Sequence, residues 1–257
     1  MKIIRSIFRP FLLLILPLAL AFAVVAAPVD ARAQSAFTPA QQQELQKIIH
    51  DYIQLHPEAV IDALKAEKQK EDAASAANQR QAIGQNRSAL LSDPDSGIGG
   101  NPKGDVTLIE FFDYRCPYCK QMEPTVQALL KEDGRLRIVY KEFPILGPVS
   151  VYATRVAIAA RKQGKYEEFR SRMITLKGNI DQDAVMQVAA ASGLDMAKLK
   201  TDMASPDIDK IIKRNYALAE ALGIDGTPGL IVGNEMNVGA TDIDGLRKMI
   251  ADARKGG

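Results

Sequence analysis

The chain's 257 residues carry 33 Lys and Arg against 31 Asp and Glu, a net charge of +2. This balance excludes the dense positive footprint that nucleic-acid binding needs. Even that excess is local. The first 33 residues hold Lys2, Arg5, Arg9 and Arg32 against Asp30, which leaves 29 basic and 30 acidic residues and a net −1 for the other 224. A chain of that length buries one good core and has room for a smaller second unit.

The N-terminus points to export. MKIIRSIFRP is basic, an apolar run of about 16 residues follows from Phe11 to Ala26, and Ala31-Arg32-Ala33 supplies small residues where a signal peptidase reads. The run is broken by Pro17 and falls short of the roughly 20 residues of a spanning helix. Residues 1–33 are therefore expected to be a signal peptide cleaved after Ala33, with the protein working in the periplasm.

From Phe37 to about Gln85 the chain reads as helix. Thr38 can cap, Pro39 suits the first helical position and Gln41 completes a capping box. Leu45, Ile48, Ile49, Tyr52 and Ile53 recur at helical spacing as one apolar stripe. His56-Pro57 marks a break, since proline disfavours helical geometry in the residue before it. Val60, Ile61 and Leu64 follow, and then the polar, Ala-rich KAEKQKEDAASAANQRQA, too poor in apolar residues to pack back onto a core. A stripe without an obvious partner suggests contacts between subunits; docking on the chain's own second half is the alternative.

SDPDSGIGGNPKGD (92–105) is dense in Gly, Pro, Ser and Asp and reads as loop. DVTLIEFF then reads as a buried strand, KQMEPTVQALLKE as helix and RLRIVYKEF as a second strand. A helical stretch runs from about Ser150 to Leu222. GLIVGN and MNVGA read as short strands, and a helix covers Thr241 to about Arg254. This order predicts an α/β fold with a helical insertion.

The two cysteines, Cys116 and Cys119, lie in FFDYRCPYCK (111–120). A bond between them closes almost no loop and would stabilise little. At a strand-to-helix junction, the free N–H groups and dipole of the first turn favour a thiolate at Cys116. Pro117 fits the first turn, where its missing N–H costs nothing. Cys119, three residues on, lies on the same side but deeper. The expected arrangement is an exposed nucleophile with a resolving thiol, able to exchange disulfides through a mixed disulfide. Metal binding is the competing reading. Zinc normally takes four ligands, and the only histidines, His50 and His56, lie far away in the N-terminal helices. A two-thiolate Cu(I) site remains open.

LIEFFDYRCPYCKQMEP resembles the thioredoxin superfamily, in its exported DsbA-like branch. Pro124 falls five residues after Cys119, where active-site helices of this fold commonly kink. Gly226-Thr227-Pro228 matches the family's cis-proline loop. The resemblance implies that Pro228 is cis, that this loop lies against the cysteines, and that the Thr227 backbone pairs with a substrate strand. Glu110 sits in a strand that reads as buried, a costly place for an unpartnered carboxylate. It is expected either to accept the proton of Cys119 or to pair with a lysine such as Lys141. Tyr118 tunes the motif. DsbA has histidine there, whose charge helps hold the thiolate, so a less strongly oxidising couple is expected here.

IIHDYIQLHPEAVIDAL resembles the N-terminal segment of the suppressor-of-copper-sensitivity C (ScsC) proteins, some of which form trimers and act as disulfide isomerases. The organisation implied is a helical oligomerisation region at 34–86, then a DsbA-like thioredoxin domain at 87–257 with its helical insertion at about 149–222. No cofactor is expected beyond a redox-active Cys116–Cys119 disulfide, and no metal. The partners implied are exported clients, a membrane reductase of DsbD or ScsB type, and two further copies in a homotrimer. The alternatives are a monomeric oxidase recycled by a DsbB-like protein and a Cu(I)-binding copper-tolerance protein.

Overall fold

The computed structural model describes residues 37–256, so the expected signal peptide at 1–33 lies outside the described residues. No helix among the described residues is long and apolar enough to cross a membrane. The described residues divide into two units, 37–61 and 62–256.

In the first unit, α1 (Pro39–Leu55) opens on the expected capping box. The Thr38 hydroxyl accepts from the Gln41 N–H at 3.3 Å, and the Gln41 side chain accepts from the Thr38 N–H at 2.8 Å. Helix α1 stops at His56, and α2 (Pro57–Gln85) starts on Pro57. The apolar stripe from Leu45 to Ile53 is 41–56% exposed.

The second unit is built on a five-stranded sheet of order β1-β3-β2-β4-β5. Strands β2 (Val106–Phe112) and β3 (Leu136–Glu142) are parallel and joined through α4 (Pro117–Glu132). Strand β1 (Gly97–Gly100) runs antiparallel to β3, and β4 (Gly229–Val232) pairs antiparallel with both β2 and β5 (Glu235–Val238). Both faces of the sheet are covered, which is why the central strands read as continuous apolar runs. Leu108 and Phe112 join the core shared with α4, the insertion and the last helix, α10 (Ile243–Lys255). Ile109 and Phe111 face the opposite way, into a smaller core.

The helical stretch between β3 and β4 is five helices: α5 (Pro148–Arg161), α6 (Tyr166–Ile174), α7 (Gln182–Ala191), α8 (Met196–Met203) and α9 (Pro206–Leu222). Helix α9 ends on Gly223, whose φ of 71° is a left-handed cap that glycine adopts without strain. Pro124 lies within α4, where its missing N–H leaves the Lys120 carbonyl without its helical partner.

Two expectations need correction. The 92–105 stretch is not all loop, because Gly97–Gly100 forms the edge strand β1. GIGG has no strand propensity of its own; pairing with β3 imposes the conformation. Gly97 must lack a side chain, since a Cβ there would lie 1.9 Å from the Tyr166 ring. Likewise, the polar stretch after Leu64 does reach a core at its end. Ile83 of α2 and Leu90 of α3 (Arg87–Leu91) are buried in the smaller core with Ile109, Val139 and Leu222.

Candidate active site

Phe112 ends β2, and a short turn carries the chain into α4. The Asp113 carboxylate organises that turn, accepting from the N–H of Arg115 at 2.7 Å, the N–H of Leu146 at 2.9 Å and the Ser150 hydroxyl at 2.8 Å. Cys116 becomes the N-cap of α4, and Pro117 takes its first helical position. The Cys116 sulfur accepts from the Cys119 N–H at 3.4 Å and donates its own proton to the Thr227 carbonyl at 3.2 Å. The Thr227–Pro228 peptide is cis. Both thiols are free.

Hydrogen bonding from Cys119 and from the first-turn backbone lowers the Cys116 pKa to about 6. Cys119 is pushed the other way, far above a free thiol, by its bond to Cys116, by burial and by the charge of Glu110. Cys116 is only 3% exposed, less open than expected, because the Thr227 carbonyl lies against its sulfur. Tyr118 stands 59% exposed beside it. An open groove of about 590 Å³ begins at Pro117 and runs between α4 and the end of α6. It is lined by Arg115, Lys120, Pro124, Leu176 and Lys177 among others.

Behind the cysteines lies a buried polar cluster. Glu110 is 2% exposed, and burial raises its pKa to about 7, against the opposing pull of Arg170. Its partner is therefore not Lys141. Parallel pairing sets Glu110 opposite Tyr140, and Lys141, the next residue of β3, points to the other face. There the Lys141 ammonium donates to Asp93 at 2.9 Å and to the Ala89 carbonyl at 2.7 Å. Arg170 of α6, fully buried, comes within 3.5 Å of Glu110, donates to both oxygens of Glu123 at 3.1 and 2.7 Å, and stacks 3.6 Å over the Tyr140 ring. Glu142 accepts from the hydroxyls of Tyr114 at 2.8 Å, Tyr166 at 2.9 Å and Thr154 at 2.8 Å, and burial raises its pKa to about 7.

Sequence reasoning missed Arg170, Glu123, Glu142 and Asp113. Two of them left a signal. Glu123 lies four residues after Cys119 on the apolar side of α4 with Met122 and Val126, and Glu142 falls in step with the inward-facing Leu136, Ile138 and Tyr140. Arg170, in YEEFRSRMI, left none. Among the described residues, no group of three or more His, Cys, Asp or Glu side chains converges as a metal site.

A cysteine pair at the start of the first helix of this fold, faced by a cis-proline loop, is the arrangement of a DsbA-like thioredoxin domain and is chemically able to exchange disulfides. The DSBA-like thioredoxin domain model matches residues 107–251, and the chain belongs to that family. It is similar to a thioredoxin-like oxidoreductase of Silicibacter pomeroyi, at 42% identity and a TM-score of 0.64, covering 66% of this chain and 98% of that one. A linker-deletion variant of ScsC from Proteus mirabilis superposes with a TM-score of 0.66 over 87% of this chain and 100% of that one, a likeness of fold at 22% identity. The thiol:disulfide interchange protein DsbA of Bordetella parapertussis is 30% identical over 135 residues, 51% of this chain and 64% of that protein. The chain spans only 26% and 25% of the length of the first curated relatives it matches, two Na(+)/H(+) antiporters from Salinispora arenicola and Salinispora tropica.

Proposed function

We propose that the chain is a periplasmic disulfide isomerase or reductase, exported by removal of residues 1–33, with Cys116 as nucleophile and Cys119 as resolving thiol. The Cys116 thiolate attacks one sulfur of a wrong client disulfide. That client bond breaks, a Cys116–client disulfide forms, and the departing client sulfur takes up a proton. Cys119 then passes its proton to Glu110 and attacks the Cys116 sulfur. The Cys116–Cys119 bond forms, and the client's second sulfur leaves as a thiolate. The client disulfide is thereby reduced by two electrons and the protein's pair oxidised. In isomerisation a different client thiol attacks the client sulfur of the mixed disulfide before Cys119 acts: a new client disulfide forms, the Cys116–client bond breaks, and Cys116 is returned reduced. A membrane reductase of DsbD or ScsB type would supply the electron pair that restores the dithiol.

The observation that carries this reading is the opposed state of the two thiols, with Cys116 held near pKa 6 and Cys119 raised and buried behind it. The Thr227 backbone, in contact with Cys116, would pair with an extended client strand beside Pro228. Pro117 shapes the first turn of α4, and the exposed Tyr118 meets the client. The exposed stripe on α1 supports trimerisation through residues 34–86. A trimer would let three Cys116 thiolates work on one client at a high effective concentration. The identity with DsbA favours a second reading, a monomeric dithiol oxidase recycled by a DsbB-like partner.

The test is reactivation of scrambled ribonuclease by the reduced protein, Gln34–Gly257. Activity should return and be lost with Cys116→Ala. If there is no reactivation and the oxidised protein rapidly oxidises a reduced dithiol peptide, the oxidase reading replaces this one.

A further inference from the structure

One guanidinium serves two buried carboxylates behind the cysteines, and the two are served unequally. Glu123 receives one hydrogen bond from each terminal nitrogen of Arg170, at 3.1 and 2.7 Å. Such a two-point hold is the strongest pairing a carboxylate can make with arginine. Glu110 has only the residual attraction, its Oε2 lying 3.5 Å from the same guanidinium and making no hydrogen bond. At that separation a charge still acts, but a hydrogen bond does not. Arg170 is confined to this choice because it is fully buried and stacked on Tyr140. The charged and titratable groups facing Glu110 are Cys116, Cys119 and Glu123 from α4, Glu167 and Arg170 from α6, and Tyr140 from β3. Arg170 is the only cation among them.

We infer that Glu123 is a positioning residue that competes with Glu110 for Arg170, and so sets the pH at which Glu110 can take the proton from Cys119. Its action has two parts of the same sign. It withholds the guanidinium's hydrogen bonds from Glu110, and its own negative charge opposes a second one nearby. Both add to burial, the largest cause, in keeping Glu110 protonated to a higher pH than an ordinary carboxyl. A base of that strength matches its medium and accepts a proton more readily than an ordinary carboxylate. The inference rests on the proton role proposed above for Glu110.

The experiment uses the full protein with Cys116 held as a mixed disulfide with glutathione. The rate at which Cys119 expels the glutathione is followed across about pH 5 to 9. The unaltered protein should reach half its maximal rate above the ordinary carboxyl range but below pH 7, because the mixed disulfide removes the Cys116 charge that helps raise Glu110. Glu123→Gln keeps the side chain's size but removes its charge, freeing Arg170 for Glu110. The midpoint should fall by about one pH unit, and the plateau rate should drop because the base is weaker. Glu123→Asp is too short to hold both nitrogens and should move the midpoint the same way by less, which keeps the test open if the glutamine variant does not fold. A folded Glu123→Gln protein whose profile overlays the unaltered one overturns the inference. Glu110→Gln separates the two ideas. If it leaves the profile unchanged, the proton role of Glu110 fails; if it abolishes the step while the Glu123→Gln profile overlays the unaltered one, only the competition fails.

Discussion

Cys116 and Cys119 are the same residue type three positions apart, yet their surroundings drive their chemistry in opposite directions. The cap position gives Cys116 hydrogen bonds that favour its anion, and the interior denies Cys119 the same. Iodoacetamide should therefore alkylate Cys116 with a rate half-maximal near pH 6, while Cys119 stays unmodified in the folded protein. Mass spectrometry of the quenched protein reads both; equal labelling of the two thiols would contradict the arrangement. Linkage gives a second consequence. A thiol whose pKa is lowered on folding stabilises the reduced fold most above the unfolded thiol's pKa, and that stabilisation is lost as pH falls through about 6. The motif and Glu110 were legible from chemistry that lies within one short run of sequence. Glu123 and Glu142 could have been read as acids in step with apolar neighbours, whereas Arg170 announces itself only once α6 is packed over the sheet.

At the scale of elements, legibility followed how local the cause was. Helix α1 and the start of α2 were readable because the capping box and the proline break are set within a few residues. Strand β1 was not, because GIGG becomes a strand only through β3 and the Tyr166 ring. Ile83 was missed for the same reason, a lone apolar residue in a polar helix whose burial depends on distant partners. The α1 stripe makes its own prediction. An aspartate at Ile49, half exposed at 51%, should convert the proposed trimer to monomer in light scattering after gel filtration. Exchange with a small dithiol peptide should stay within about twofold, because Cys116, Cys119 and Thr227 all belong to the second unit. If the mass is unchanged by Ile49→Asp, this stripe is not the subunit contact.

For the second unit as a whole, the residues just before the family match at 107–251, from Ile83 onward, belong to the folded body. Asp93 supplies the carboxylate that holds the fully buried Lys141, and Arg214 of α9 reaches the same group at 3.1 Å and Asp95 at 2.8 Å. Asp93→Ala leaves the Lys141 ammonium with only a carbonyl and should cost about 3 kcal/mol in urea unfolding. A change within about 0.5 kcal/mol, the usual range for a surface substitution, would mean that the pair contributes nothing.

The strand order carries a consequence for how the chain comes into being. Strand β2 lies between β3 and β4, so one of its two neighbours is made more than a hundred residues after it. Thr227, whose carbonyl lies against the Cys116 sulfur, follows that cysteine by 111 positions. In a polypeptide produced or threaded N-terminus first, both thiols emerge while β2 still has an open edge and no loop stands over them. During that interval they meet oxidants, metals and other thiols unguarded, and the chain depends on its surroundings to deliver them intact to the fold that will protect them.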